Sequence, residues 1–168
     1  MYRGPLVMVL GGGLAVCAPV EPAAIPAPAQ NGRAEQAGQA GQAAAGSVTG
    51  TLAEVNAFRA RAGVAVLRQS AVLSRVTAGH AADLAATGRF SHEGRDGSSV
   101  GDRARRAGYR YCFIAENLAR GPGSLDEVIS GWRASPGHRA NMLNVEADEM
   151  ALVRQGDLWV MVLGRGGC

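Results

Sequence analysis

The sequence predicts an α+β fold: a small sheet held between helices, in a three-layer sandwich. Three observations point to it. Apolar residues recur at helical spacing from Leu52 to Ala62, from Leu73 to Leu84 and from Leu125 to Trp132. The chain closes on a hairpin pattern, "EMALVR", a Gln155-Gly156-Asp157 turn and "LWVMVLG". The last of these runs is apolar on both faces, as a central buried strand requires. Helices therefore precede, interrupt and cover the strands.

The elements follow in order. Residues 1–18 read as an export signal, with Arg3 as the positive start and a mostly apolar run from Pro5 to Val16. That run is shorter than the roughly 20 residues a membrane span needs. "LAVC", Leu14 to Cys17, resembles a lipobox and makes Cys17 a candidate lipidation site; ordinary cleavage near Cys17–Ala18 is the rival. Residues 19–47, rich in Ala, Pro, Gln and Gly, form a linker with too little apolar surface to offset its ordering entropy.

The folded domain occupies 48–168. "TLAE" reads as a capping box, with Thr51 as N-cap and Glu54 three residues on. Leu52, Val55, Phe58 and Ala62 continue that helix, and Gly63 can end it. A second helix starts after Ser70, with Leu73, Val76, His80 and Leu84 on one face, and Gly88 closes it. "RFSHEGRDGSS" is a loop. A short helix from about Val100 to Ala107 ends at Gly108. Its "RARR", Arg103 to Arg106, reads as a solvated face. Tyr109 to Ala119 begins as a strand and turns polar at Glu116 and Asn117. "SLDE", Ser124 to Glu127, is a second capping box, and Ser135-Pro136 starts a further short helix.

Composition limits function. All 17 basic residues are Arg, the net charge is +3, and no aromatic-basic interleaving of the kind that binds nucleic acid appears. Cys112 and Cys168 remain after the leader, an even number that allows a disulfide in an exported chain. No HExxH, GxSxG or Walker pattern is present.

The candidate chemistry rests on three residues. His92 sits in the loop and His138 in the first turn of a helix, where side chains are aimed rather than packed. Arg139 and the helix N-terminus both disfavour a protonated His138. Glu116 stands where an apolar run ends and, half buried, must find a partner. His92, Glu116 and His138 are therefore the catalytic candidates. Two imidazoles and a carboxylate can form a zinc site with an open position, His92 and His138 being the metal ligands, or a plain hydrogen-bonded cluster. His80, on an apolar helix face, reads as a core histidine with one hydrogen bond. Trp132 reads as core, and Arg139 and Asn141 as capping and bracing residues.

"HAADLAATGRFSHEGRDGSSVGDRARRAGYRYCFIAENLA" and "VISGWRASPGHRANMLN" closely resemble the bacterial branch of the CAP superfamily, the SCP-like extracellular domains. The resemblance runs from about Leu52 to Gly164 and implies an α-β-α sandwich, secretion, and a central cavity with two His and two Glu. By motif position, His92, Glu116 and His138 match three of the four, and Ser135 stands in place of the second Glu. Ser135 and Asn117 complete the expected cavity. The resemblance implies an exported protein, periplasmic, extracellular or envelope-anchored. Its expected ligand is a divalent metal such as zinc, or a lipid or cell-wall component. A membrane would be met only through a lipid anchor. A metal-assisted, peptidase-like hydrolase on the same residues is the alternative.

Overall fold

The computed structural model describes residues 50–168. The export signal, Cys17 and the linker lie outside the described residues. Five helices and four strands follow: α1 (50–61), β1 (Arg68–Gln69), α2 (Ala71–Thr87), α3 (Val100–Arg106), β2 (Tyr111–Arg120), α4 (Leu125–Ala134), α5 (Pro136–Met142), β3 (Glu149–Gln155) and β4 (Leu158–Gly166). Strand order is β1-β3-β4-β2, with β1 parallel to β3 and the other pairs antiparallel.

The three layers follow from strand alternation. On β4, Trp159, Met161 and Leu163 face a core built with Val55 and Phe58 of α1, Val128, Ile129 and Trp132 of α4, and Met142 of α5. Leu158, Val160 and Val162 face the opposite way, against Leu73, Ala81 and Leu84 of α2 and Ala104 of α3. Leu158 to Leu163 are all buried, so β4 is the central strand that its unbroken apolar run predicts. Gly164 lies beside Tyr109; a Cβ there would stand 2.9 Å from the Tyr109 ring, so the position needs glycine.

Helix ends are mostly as the sequence reads them. Ser70 caps α2 through the Leu73 amide, and Gly88 closes it at φ 67°. Ser124 caps α4, but Glu127 reaches back to the amide of Gly123 rather than of Ser124. Thr51 is a correction: residue 50 is already helical, so Thr51 lies inside α1. Helix boundaries are weakly marked in sequence because a cap and a first-turn residue differ by one position. Strand β2 continues unbroken through Glu116 and Asn117 to Arg120, since β4 pairs with it along this whole stretch.

Arg59 is fully buried in α1 and joins this helix to the end of α5. Its guanidinium donates to the carbonyls of Ala65 (2.6 Å), Met142 (2.8 Å), Asn144 (3.0 Å) and Ala147 (3.0 Å). Burial pulls its pKa below the usual arginine value.

A disulfide joins Cys112, at the start of β2, to the final residue Cys168, 56 positions away. It closes a loop containing α4, α5 and the hairpin. Reduction, or a Cys168→Ser substitution, is expected to lower unfolding free energy by about 2–4 kcal/mol, chiefly by freeing the unfolded chain. Urea titrations with and without reductant check this; coincident curves would contradict it. Among the described residues no helix is long and apolar enough to cross a membrane.

Candidate functional site

The candidate residues meet at the free edge of β2. This strand pairs with β4 on one side only. Its outer carbonyls are met by side chains from α4 and α5: Trp132 Nε1 donates to Leu118 O (3.2 Å), and Asn141 Nδ2 to Glu116 O (3.4 Å). Unpaired edge groups invite another strand, and these two residues blunt that tendency. Trp132 is thus core, as expected, and also an edge cap.

Alternation along β2 sends Glu116 and Asn117 to opposite faces. Glu116 enters the α2–α3 layer, where its side chain is 2 % exposed. One oxygen accepts from His92 Nδ1 at 2.9 Å, and the other from Arg103 Nη2 at 2.8 Å. His80 Nε2 stands 3.7 Å from the first oxygen. Asn117, fully buried, turns toward α5. It donates to the carbonyl of His138 (3.1 Å) and accepts from Asn141 (2.8 Å). These bonds fix the first turn of α5.

His92 lies on the Glu116 side of the edge. Its ring is 63 % exposed, held at one nitrogen by Glu116. A carboxylate flanked by a guanidinium can only accept, so Nδ1 carries a proton, and in the neutral ring Nε2 is the free acceptor. The His138 pKa is lowered, first by burial and second by the charge of His92. Its ring tilts against Trp132 at a centroid distance of 6.2 Å. Arg139, expected to help keep His138 neutral, lies over the Phe58 ring instead, 5.1 Å from its centroid. It braces α5 against α1. No hydrogen bond joins His138 to Glu116. Ser135 is the N-cap residue of α5, but its hydroxyl makes no capping bond.

Arg103 is the residue that sequence reasoning missed. A solvated face was expected for Arg103 to Arg106, yet the Arg103 side chain is only 11 % exposed. The structure corrects the expectation for this one member. Ser99 and Asp102 form a full capping box that fixes the start of α3. Buried Gly101 and Ala104 set its inner face, and Arg103 follows that face toward β2. It also donates to the carbonyls of Ser98 (2.7 Å) and His92 (3.1 Å), which holds the loop. Arg105 instead covers Tyr111, and Arg106 pairs with Asp96. The usable signal was the "SVGDR" box, Ser99 to Arg103, directly before the arginine.

The donor set does not fit the three-ligand zinc centre of His92, Glu116 and His138 that the sequence allowed. Both Glu116 oxygens are engaged, and a permanent cation stands 2.8 Å from one of them. Among the described residues no group of three or more His, Cys, Asp or Glu side chains is placed to hold a metal ion.

His80 is a core histidine, as read, and its Nε2 faces the carbonyl of Ser91 at 3.1 Å. The sequence reading did not place it beside Glu116. Its pKa is lowered, because burial outweighs the attraction of Glu116. Two histidines are therefore held below their ordinary value in the fold. In the unfolded chain each binds a proton near about pH 6.5, before the folded chain does. Stability should be full above that value and fall as pH drops through it toward the folded pKa values. The urea midpoint is expected to decline between about pH 7 and pH 5.5, and His80→Gln to flatten the decline. A midpoint constant over this range would contradict the assignment.

Residues 52–157 match the family described as Cysteine-rich secretory protein family, CAP. Protein YkwD of Bacillus subtilis is 29 % identical over 106 residues, 62 % of this chain and 41 % of YkwD. This chain therefore spans about two fifths of that relative's length. Among solved structures, an extracellular SCP-domain protein of Bacillus anthracis superposes with a TM-score of 0.68 at 24 % identity, covering 71 % of this chain and 40 % of that one. An outer surface protein from Borrelia burgdorferi gives 0.65 at 21 %, covering 69 % and 90 %. At those identities the likeness speaks for the fold alone. The family match covers well over half the chain and contains His92, Glu116 and His138, and on that ground the chain belongs to the CAP family of cysteine-rich secretory proteins.

Proposed function

We propose that the chain is an exported, envelope-associated CAP domain that binds an organic ligand, a lipid or a cell-wall component, at His92 and His138. One observation carries this reading: an exposed imidazole fixed by a buried carboxylate–guanidinium pair. Such a pair orients a side chain without offering itself to solvent, which is how a recognition group is preorganised. His92 presents one acceptor, and His138 adds a second imidazole held toward its neutral form. Asn117 and Ser135 border this edge as positioning residues. Export is supported by the leader in residues 1–18 and by the extracellular and outer-surface relatives. Membrane contact would come through lipid on Cys17.

A second reading is a peptidase-like hydrolase. It is favoured by the same carboxylate-held imidazole, since His92 Nε2 is set up to take a proton from water. The metal-assisted form of this reading conflicts with the engaged Glu116. Calorimetric titration with zinc, with solubilised wall fragments and with phospholipid vesicles separates the readings, using wild type, His92→Ala and His138→Ala. A peptidase panel follows on the same three proteins. Wall or lipid binding lost in both variants, with no zinc-dependent or histidine-dependent turnover, is the expected result. Turnover abolished by His92→Ala would replace the binding reading with the hydrolase.

A further inference from the structure

A cavity lies between α2, α3 and the loop at 94–98. Its volume is about 500 Å³, within the range of small-ligand sites. His92, Glu116 and His138 do not line it. Four arginines do, Arg75, Arg95, Arg103 and Arg106, against two acids, Asp83 and Asp96. Both acids are engaged: Asp83 by Arg95 at 3.3 Å, and Asp96 by Arg106 at 2.7 Å. Hydrogen bonds from Ser98, and then the bond from Arg106, hold the Asp96 carboxyl below its usual range. The acids therefore act as walls that position guanidinium groups.

One guanidinium, Arg75, is left without a compensating carboxylate, and Arg103 keeps one unused donor. Arg75 reaches only the carbonyl of Ala71 on its own helix, 3.3 Å away, and has no carboxylate partner among the described residues. Arg103 neutralises Glu116 with Nη2, but its buried Nε–H has no partner. A buried donor left unmet carries the full penalty of its lost hydration. The cavity is thus a concave basic surface with a buried, unmet donor on one lining residue. Concave surfaces of one sign focus their field and concentrate counter-ions.

We propose that this α2–α3 cavity binds a phosphate group, as the ester end of a larger molecule, at a ligand site that adjoins the Glu116 cluster through His80 and Arg103 but does not include His92 or His138. Guanidinium forks match the paired oxygens of phosphate. The volume exceeds what a bare phosphate fills, which leaves room for the esterified part. The same chemistry could come from a soluble phosphate ester or from a lipid headgroup.

The test uses the ¹⁵N-labelled protein in NMR titrations with inorganic phosphate and with glycerol phosphate, at ionic strength matched by chloride. The expected result is saturable movement of the amides of residues 94–98 and 103–107 and of Arg103 Nε–H. Arg75→Gln should weaken binding at least about fivefold, as loss of a charge-assisted contact does. Arg75 is exposed and makes no long-range hydrogen bond or ion pair among the described residues, so this variant should remain folded, and its own amide spectrum verifies that. Sedimentation with phosphatidylglycerol and phosphatidylcholine vesicles distinguishes the sources. Arg75-dependent capture by the anionic vesicles assigns a headgroup, and phosphate binding without capture assigns a soluble ester. Linear, unsaturable shifts overturn the proposal. So does binding that Arg75→Gln leaves unchanged.

Discussion

Arg103→Ala is expected to destabilise the domain by about 3–5 kcal/mol, because it leaves a buried carboxylate without its cation. The pair is buried on both sides, at 11 % and 2 % exposure, so solvent screening is slight. The same change releases the carbonyls of His92 and Ser98, so the loop that carries His92 should loosen. Arg103→Lys keeps the charge but not the fork that reaches three oxygens, and it should fall in between. Adding Glu116→Gln to Arg103→Ala should recover part of the loss, since the uncompensated charge is then gone. Urea denaturation of wild type, these three variants and Arg105→Ala checks each step. A loss no larger than that of Arg105→Ala, whose side chain is 64 % exposed, would contradict this account.

Arg59→Ala should cost about as much, roughly 4–5 kcal/mol, for a different reason. Among the described residues no carboxylate pairs with Arg59; it serves four carbonyls, two of them at buried residues, Met142 and Ala147. Removing it leaves several acceptors unmet at once. Three of the four are Met142, Asn144 and Ala147, at and after the end of α5. Amide exchange of α5 should therefore rise more than that of β3 and β4. Loss of stability with α5 protection unchanged would separate Arg59 from the site.

The layered fold was legible because its signals are periodic. The β4 run from Leu158 to Leu163 is buried on both faces, and the α2 stripe through Leu73, Val76, His80 and Leu84 is buried throughout. Positions of His92, Glu116 and His138 were legible from the FSH, AENLA and SPGHR motifs. Their mutual geometry was not. Alternation on an edge strand sends Glu116 to one face and Asn117 to the other, and which face meets which helix depends on the order β1-β3-β4-β2. Pairing order leaves no local trace in a sequence. Arg103 and Arg59 were missed for a related reason. Each is one arginine among 17, and nothing local separates a buried guanidinium from a solvated one. The solvated-face reading holds for Arg105 and Arg106, which are more than half exposed, and fails only for their neighbour.

The engaged Glu116 also changes what Ser135 means. A missing second acid would matter most to a site built around a cation. Here Arg103 already supplies the positive charge that faces Glu116.

The central claim is that Glu116, held by Arg103, fixes His92 as an oriented imidazole and is not an open metal ligand. Long-range ¹H–¹⁵N NMR of the imidazole rings near neutral pH tests it most directly. The account predicts that the neutral His92 ring is protonated at Nδ1 with Nε2 bare, a preference lost in Glu116→Gln and kept when equimolar zinc is added. A His92 ring protonated at Nε2, or one that takes up a metal-bound spectrum together with His138 on adding zinc, would contradict it.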